Sequence, residues 1–166
     1  MAFRADRLAP EATTLKAVFG AVDPALLPAI GSAADPTLAG GRFELYNPRT
    51  GEVTAISLPA AAWQVRSLRA ASHTSTETAP RCMARAEPIA VDARGVRIRC
   101  GRASLGFTLD EFTQGRLAAS VILGTTTSGR RFCSVFGETV RKDFSPRFVA
   151  GRAAAPERCW LPRSFY

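Results

Sequence analysis

Between Gly95 and Gly101 apolar and charged residues alternate one for one: Val96, Ile98 and Cys100 are separated by Arg97 and Arg99. Successive side chains of an extended strand point to opposite faces, so this pattern puts an apolar row on one side and arginines on the other. A strand of that kind belongs to a sheet packed on one face and wet on the other, as antiparallel sheets commonly are. Just upstream, Ile89 and Val91 alternate into Asp92-Ala93-Arg94-Gly95, and the two runs are expected to pair as a hairpin.

The rest of the chain repeats this short extended pattern between turn signals. Arg42 to Tyr46 and Glu52 to Leu58 are joined by Asn47-Pro48-Arg49-Thr50-Gly51, where Pro fixes φ and Gly accepts a positive one, and they read as a second hairpin. Further strands are expected over Leu105 to Leu109, Leu117 to Leu123, Arg131 to Phe136, Glu138 to Arg141 and Phe148 to Gly151, with Thr125 to Gly129 as a turn. Ala60 to Gln64 reads as one helical turn or a corner, with Trp63 packing the core. Ser72 to Pro80 reads as an exposed loop, and Gly31 to Pro36 as a connector. Strands at roughly 8–12 residue spacing argue for a sandwich or a barrel-like fold. Before the connector the pattern is ambiguous: Leu15, Val18, Phe19 and Val22 suit a helix, whereas Leu15, Ala17 and Phe19 suit a strand.

The chain has 166 residues, of which 46% are hydrophobic and 22% charged, with 13 Gly and 11 Pro. That excludes wholesale disorder, collagen and a coiled coil. Its apolar stretches are cut by Pro or Gly well short of the roughly 20 residues that a membrane-spanning helix needs. The net charge is +8, carried by 20 Arg and 2 Lys, Lys16 and Lys142. A basic chain invites a nucleic-acid reading, but the arginines are scattered from Arg4 to Arg163 without a long run. Only Arg94, Arg97, Arg99 and Arg102 are dense enough to form a candidate polyanion-binding cluster.

Cys82, Cys100, Cys133 and Cys159 are separated by 18, 33 and 26 positions, so no CxxC pair is present for zinc or redox chemistry. The even count with wide spacing suits two disulfides and an oxidising compartment; buried free thiols are the other reading. Of the three possible connectivities, Cys82 with Cys100 and Cys133 with Cys159 is expected, because each pair brackets a local strand unit. Met1 to Pro10 lacks the apolar core of a signal peptide, so the chain is a fragment, or its start is artificial, or its thiols are reduced.

Gly31 to Gly41 followed by Phe43 to Asn47, the corner Ser57-Leu58-Pro59-Ala60-Ala61-Ala62-Trp63, and the block Gly106 to Glu111 with Gln114-Gly115 together resemble a cysteine-bearing β module of secreted and cell-surface bacterial proteins, often present in tandem copies and without an established activity. The closing run is the most specific: Arg131 to Gly137, Thr139 to Asp143, and Ala154 to Cys159. Leu15 to Phe19 followed by Asp23-Pro24-Ala25 is similar to the strand and turn preceding the connector in such tandem arrangements, which tips the N-terminal reading to strand. Glu138 departs from the pattern, since the module usually has a second Gly there. The resemblance implies a secreted, cell-surface or periplasmic location, with adjacent β modules or cell-surface components as partners. It implies no catalytic residue.

Catalytic constellations are not apparent. His73 is the only histidine and lies beside Ser72 and Ser75, and sequence neighbours rarely form a nucleophile–base pair. Asp110 and Glu111 would face opposite ways in a strand, poor geometry for a paired-carboxylate hydrolase, and read instead as a turn before Phe112. Gly101 to Gly106 lacks the spacing of a phosphate loop. Neither a metal nor a cofactor is expected.

The expectation is therefore an all-β, mostly antiparallel β-sandwich or barrel-like domain with two disulfides. Residues 1–31 would form an N-terminal strand segment or the end of a preceding repeat, residues 32–160 the β domain, and residues 161–166 a tail. Its role would be that of a non-catalytic extracytoplasmic module, structural or adhesive. The alternative is binding of a nucleic acid or an acidic glycan through an arginine-rich sheet face at Arg94, Arg97, Arg99 and Arg102.

Overall fold

A computed structural model describes residues 3–11, 14–21, 28–29, 31–65, 81–87, 95–101, 107–125, 129–153, 156 and 159. The described chain is mostly strand. In order it forms β1 (Phe3–Glu11), β2 (Thr14–Ala21), one helical turn α1 (Pro36–Ala39), β3 (Gly41–Tyr46), β4 (Val53–Leu58), β5 (Trp63–Val65) and β6 (Arg81–Glu87). There follow β7 (Gly95–Gly101), β8 (Leu117–Leu123), β9 (Arg130–Phe136), β10 (Val140–Phe144) and β11 (Arg147–Ala150). Two sheets result: a seven-stranded one in the order β10-β11-β1-β2-β7-β6-β5 and a four-stranded one in the order β4-β3-β8-β9. Neighbours pair antiparallel except β5 and β6, which are parallel.

Alternation explains which residues meet. Phe43 and Leu45 of β3, Leu117 and Val121 of β8, and Phe132 and Phe136 of β9 enter the same buried apolar cluster as Ala17, Val96, Ile98 and Phe148 of the seven-stranded sheet. Phe43, Phe136 and Phe148 are fully buried, and such burial stabilises by about 2–3 kcal/mol per side chain. Every residue of β8 is buried, because this strand lies in the interior of its sheet and is covered on both faces.

The corner after β4 is built as its sequence suggests. Pro59 leads into a 3-10 turn at Ala60–Ala62, and Trp63, 6% exposed, donates its Nε1–H to Leu58 O at 3.0 Å. Ahead of β3, Asp35 caps α1 and Pro36 occupies its first turn, so part of the expected connector is helical. Gly124 ends β8 at φ +88°, and a Cβ there would lie 2.8 Å from Ala34 Cα; its N–H donates to Gly40 O.

The two hairpins of the four-stranded sheet, β3–β4 and β8–β9, fall where turn chemistry places them. The partner of β7 is different from the one expected: it is β6 at Arg81–Glu87, while Ile89 to Val91 and Arg94 lie outside the described residues. Of the strand expected at Leu105 to Leu109, the described part, Phe107 to Leu109, is not a strand, and Leu105 and Gly106 lie outside the described residues. Phe107 and Leu109 are buried, but the Thr108 N–H donates to Glu52 Oε1 at 2.5 Å rather than to a ladder. The strand expected at Glu138 to Arg141 begins at Val140 and runs to Phe144. The extended reading of Leu15 to Phe19 holds within β2, and β1 and β2 lie between β11 and β7. The Ser72 to Pro80 loop with His73, and Arg102, also lie outside the described residues.

Candidate functional site

Three features bear on function, one on each sheet and one between them. On the four-stranded sheet, Glu44 falls between the core residues Phe43 and Leu45 and so occupies the face away from the apolar cluster. Register places Ser120 beside it, and Cys133 beside Ser120. Ser120 Oγ donates to Glu44 Oε2 at 2.8 Å, and Arg131 Nη1 donates to the same oxygen at 2.6 Å. Arg42 Nε lies 3.1 Å from Glu44 Oε1. The glutamate is only 5% exposed, so both carboxylate oxygens have their charge met by protein groups. A shallow cleft runs beside it, lined by Tyr46, Ser120, Cys133, Val135 and Pro156. Pro156 is brought there by the Cys133–Cys159 disulfide, whose Cα atoms are 5.5 Å apart.

Between the sheets, the turn after β3 is tied to the segment before β8 and to β10. Asn47 and Gln114 are both buried. Asn47 Nδ2 donates to Gln114 Oε1 at 2.8 Å, and Gln114 Nε2 donates to Glu111 Oε2 at 2.5 Å. The backbone N–H groups of Gln114 and Gly115 donate to the two carboxylate oxygens of Asp143 at 2.6 and 2.9 Å, while the Arg49 guanidinium donates to Thr113 O. These bonds anchor one side of the bend formed by Glu111 and Phe112. Phe112 is 91% exposed.

On the seven-stranded sheet, Val96, Ile98 and Cys100 are buried in the core, so Arg97 and Arg99 hold positions on the opposite face. Of the proposed cluster these two lie in β7, and Arg94 and Arg102 are outside the described residues. Cys82 stands directly opposite Cys100 in the β6–β7 register.

Sequence reasoning missed the Glu44 group and the Gln114 network. Their members are far apart in the chain, and only the pairing of β3 with β8 and of β8 with β9 brings Glu44, Ser120 and Arg131 together. The available signal was a charged residue inside the apolar run of β3. Comparison with protein-family models, with curated proteins and with solved structures finds no match for this chain. Among the described residues no helix is long and apolar enough to cross a membrane.

Proposed function

We propose that this chain is a non-catalytic β module of a bacterial protein that works outside the cytoplasm, in a structural or adhesive role beside further β modules or cell-surface components. The observation that carries this reading is the Cys133–Cys159 disulfide, because such bonds persist in oxidising compartments and are rare where cellular thiols are kept reduced. A two-layer sandwich accounts for one apolar cluster fed by both sheets. A second disulfide, Cys82 to Cys100, follows from their opposed positions. Directly opposed residues on antiparallel strands have Cα atoms about 4.5–5.5 Å apart, within the span of a disulfide. The non-catalytic role is supported by the engagement of Glu44, Asp143 and Gln114 in bonds that hold the fold together.

The test is peptide mapping without reduction on protein exported to an oxidising compartment. Peptides linked through Cys133–Cys159 and through Cys82–Cys100 are expected. Four alkylatable thiols in the exported protein would overturn the extracytoplasmic reading. Hydrolase activity that disappears on His73→Ala would overturn the non-catalytic one.

A further inference from the structure

The register of the seven-stranded sheet collects positive charge that is dispersed along the chain. Directly opposed residues on antiparallel strands share a face, and the buried Ala17 and Ile98 stand opposite each other on the core face. On the other face Lys16 stands opposite Arg99 across β2 and β7, and Arg97 opposite Arg85 across β7 and β6. Arg81 holds the same face of β6, and Arg7 stands opposite Val18. Like charges directly opposed on neighbouring strands destabilise a sheet, and here two such pairs are adjacent along β7. A local rule broken twice at one place marks a position kept for something other than stability. Among the described strands, the carboxylates at Glu11 and Glu87 hold the margins of this face, opposite Thr14 and Gly95, and Asp6 falls in the β-bulge beside Arg7.

We infer that this face binds a linear acidic glycan, one bearing carboxylate or sulfate groups, through the positions of Arg7, Lys16, Arg81, Arg85, Arg97 and Arg99. Neighbouring strands are about 4.8 Å apart and alternate residues of one strand about 7 Å apart, so the quartet at Lys16, Arg99, Arg97 and Arg85 forms a compact block of four cationic positions. Arginine matches planar carboxylate and tetrahedral sulfate oxygens with paired donors. The positions of β2, β6 and β7 on this face include no aromatic residue, so a single-stranded nucleic acid would find no stacking platform there. The choice of a glycan over a duplex nucleic acid rests on the extracytoplasmic reading above; the cationic face does not.

The experiment measures binding of the whole chain to heparin, to polygalacturonate and to a DNA duplex over a range of salt. It compares the parent with Lys16→Gln/Arg99→Gln, Arg85→Gln/Arg97→Gln, and the control Arg116→Gln/Arg152→Gln, which removes two exposed arginines elsewhere. Each face variant is expected to bind the glycans about tenfold more weakly, equivalent to one well-made interaction, with a shallower salt dependence. Each should also melt no lower than the parent, because a like-charge pair has been removed, which separates lost binding from lost folding. Equal weakening by the control would show net charge alone and overturn the inference, as would tighter binding of the duplex than of either glycan. Failure to bind any probe, with both disulfides mapped, would remove this inference and leave the proposed function standing. Glycan binding by an exported protein whose thiols are all free would do the reverse.

Discussion

The Glu44 carboxylate, hidden from water between two arginines, shows how uneven the two ends of an ion pair can be. Glu44 is nearly buried, whereas the Arg131 side chain keeps 28% of its exposure. Removing the arginine leaves a desolvated charge; removing the glutamate leaves a cation that water can still reach. Arg131→Leu is therefore expected to cost about 2 kcal/mol, below the range for a fully buried pair because of that exposure. The double variant Glu44→Leu/Arg131→Leu should be more stable than Arg131→Leu alone. Urea midpoints measure both, and simple additivity of the single losses would show that the pair is not coupled. At Asp35, burial pushes the carboxyl up, but donors at Gly31 N, Thr37 Oγ1 and Thr37 N outweigh it and hold the group below its ordinary value. A depressed value in the folded state stabilises fully above the usual carboxylate range, near about pH 4, and that stabilisation disappears as pH falls through the lowered value. Asp35→Ala should cost about 1 kcal/mol at neutral pH, and the gap between variant and parent should narrow on acidification. A gap that is constant from pH 7 to pH 3 would assign the effect to something other than this charge. The Asp35-Pro36 pair is a helix-start signal in the sequence, masked there by the surrounding Gly, Ser and Ala that read as a connector.

Elements whose boundaries rest on local chemistry were legible. The Asn47 to Gly51 turn, the alternation in β7 and the Pro59 corner under Trp63 all lie where neighbouring residues decide the conformation. Phe107 to Asp110 misled because buried Phe107 and Leu109 flank exposed Thr108 as a strand would, while the partner that fixes them is a side chain 56 positions away, Glu52. Conversely, β6 alternates Cys82, Ala84 and Ala86 with Arg81, Met83 and Arg85, yet small alanines make a weak apolar row. The Cys133–Cys159 disulfide works at this scale too, since it ties the edge strand β9 to the stretch of chain that follows β11. Cys133→Ala/Cys159→Ala is expected to lower stability by up to about 3.5 kcal/mol on the chain-entropy account. Beyond that global loss, the segment at Pro156 should open separately. Proteolysis after Arg152, which is exposed, should then quicken under conditions where hydrogen exchange still finds the β8 amides protected. Equal loss of protection in β8 and at the C-terminal segment would show that the bond holds the whole sheet instead.

Across the whole molecule, what the sequence concealed was order. Leu8 lies in register with Ala150, and Leu15 with Cys100, pairings that no local pattern announces. The arginines at 97 and 99 could be assigned to one face from alternation alone. That Lys16 and Arg85 stand against them follows only from which strands neighbour β7. Six of the 22 basic residues, dispersed from Arg7 to Arg99 along the chain, thus come to hold positions on one face of the sheet.

The place of β1 has a consequence for how the molecule is made. One side of β1 pairs with β2, which follows it at once, and the other with β11, the last of the described strands. As the polypeptide leaves the ribosome, the first hairpin can close within moments, but its far side must wait for nearly all the remaining strands. During that interval it offers an open row of amide and carbonyl groups to any other nascent chain, a ready template for faulty association. A cell that keeps the polypeptide extended until β11 has been delivered, as threading through a translocation pore does, shortens that hazard to the time of final collapse.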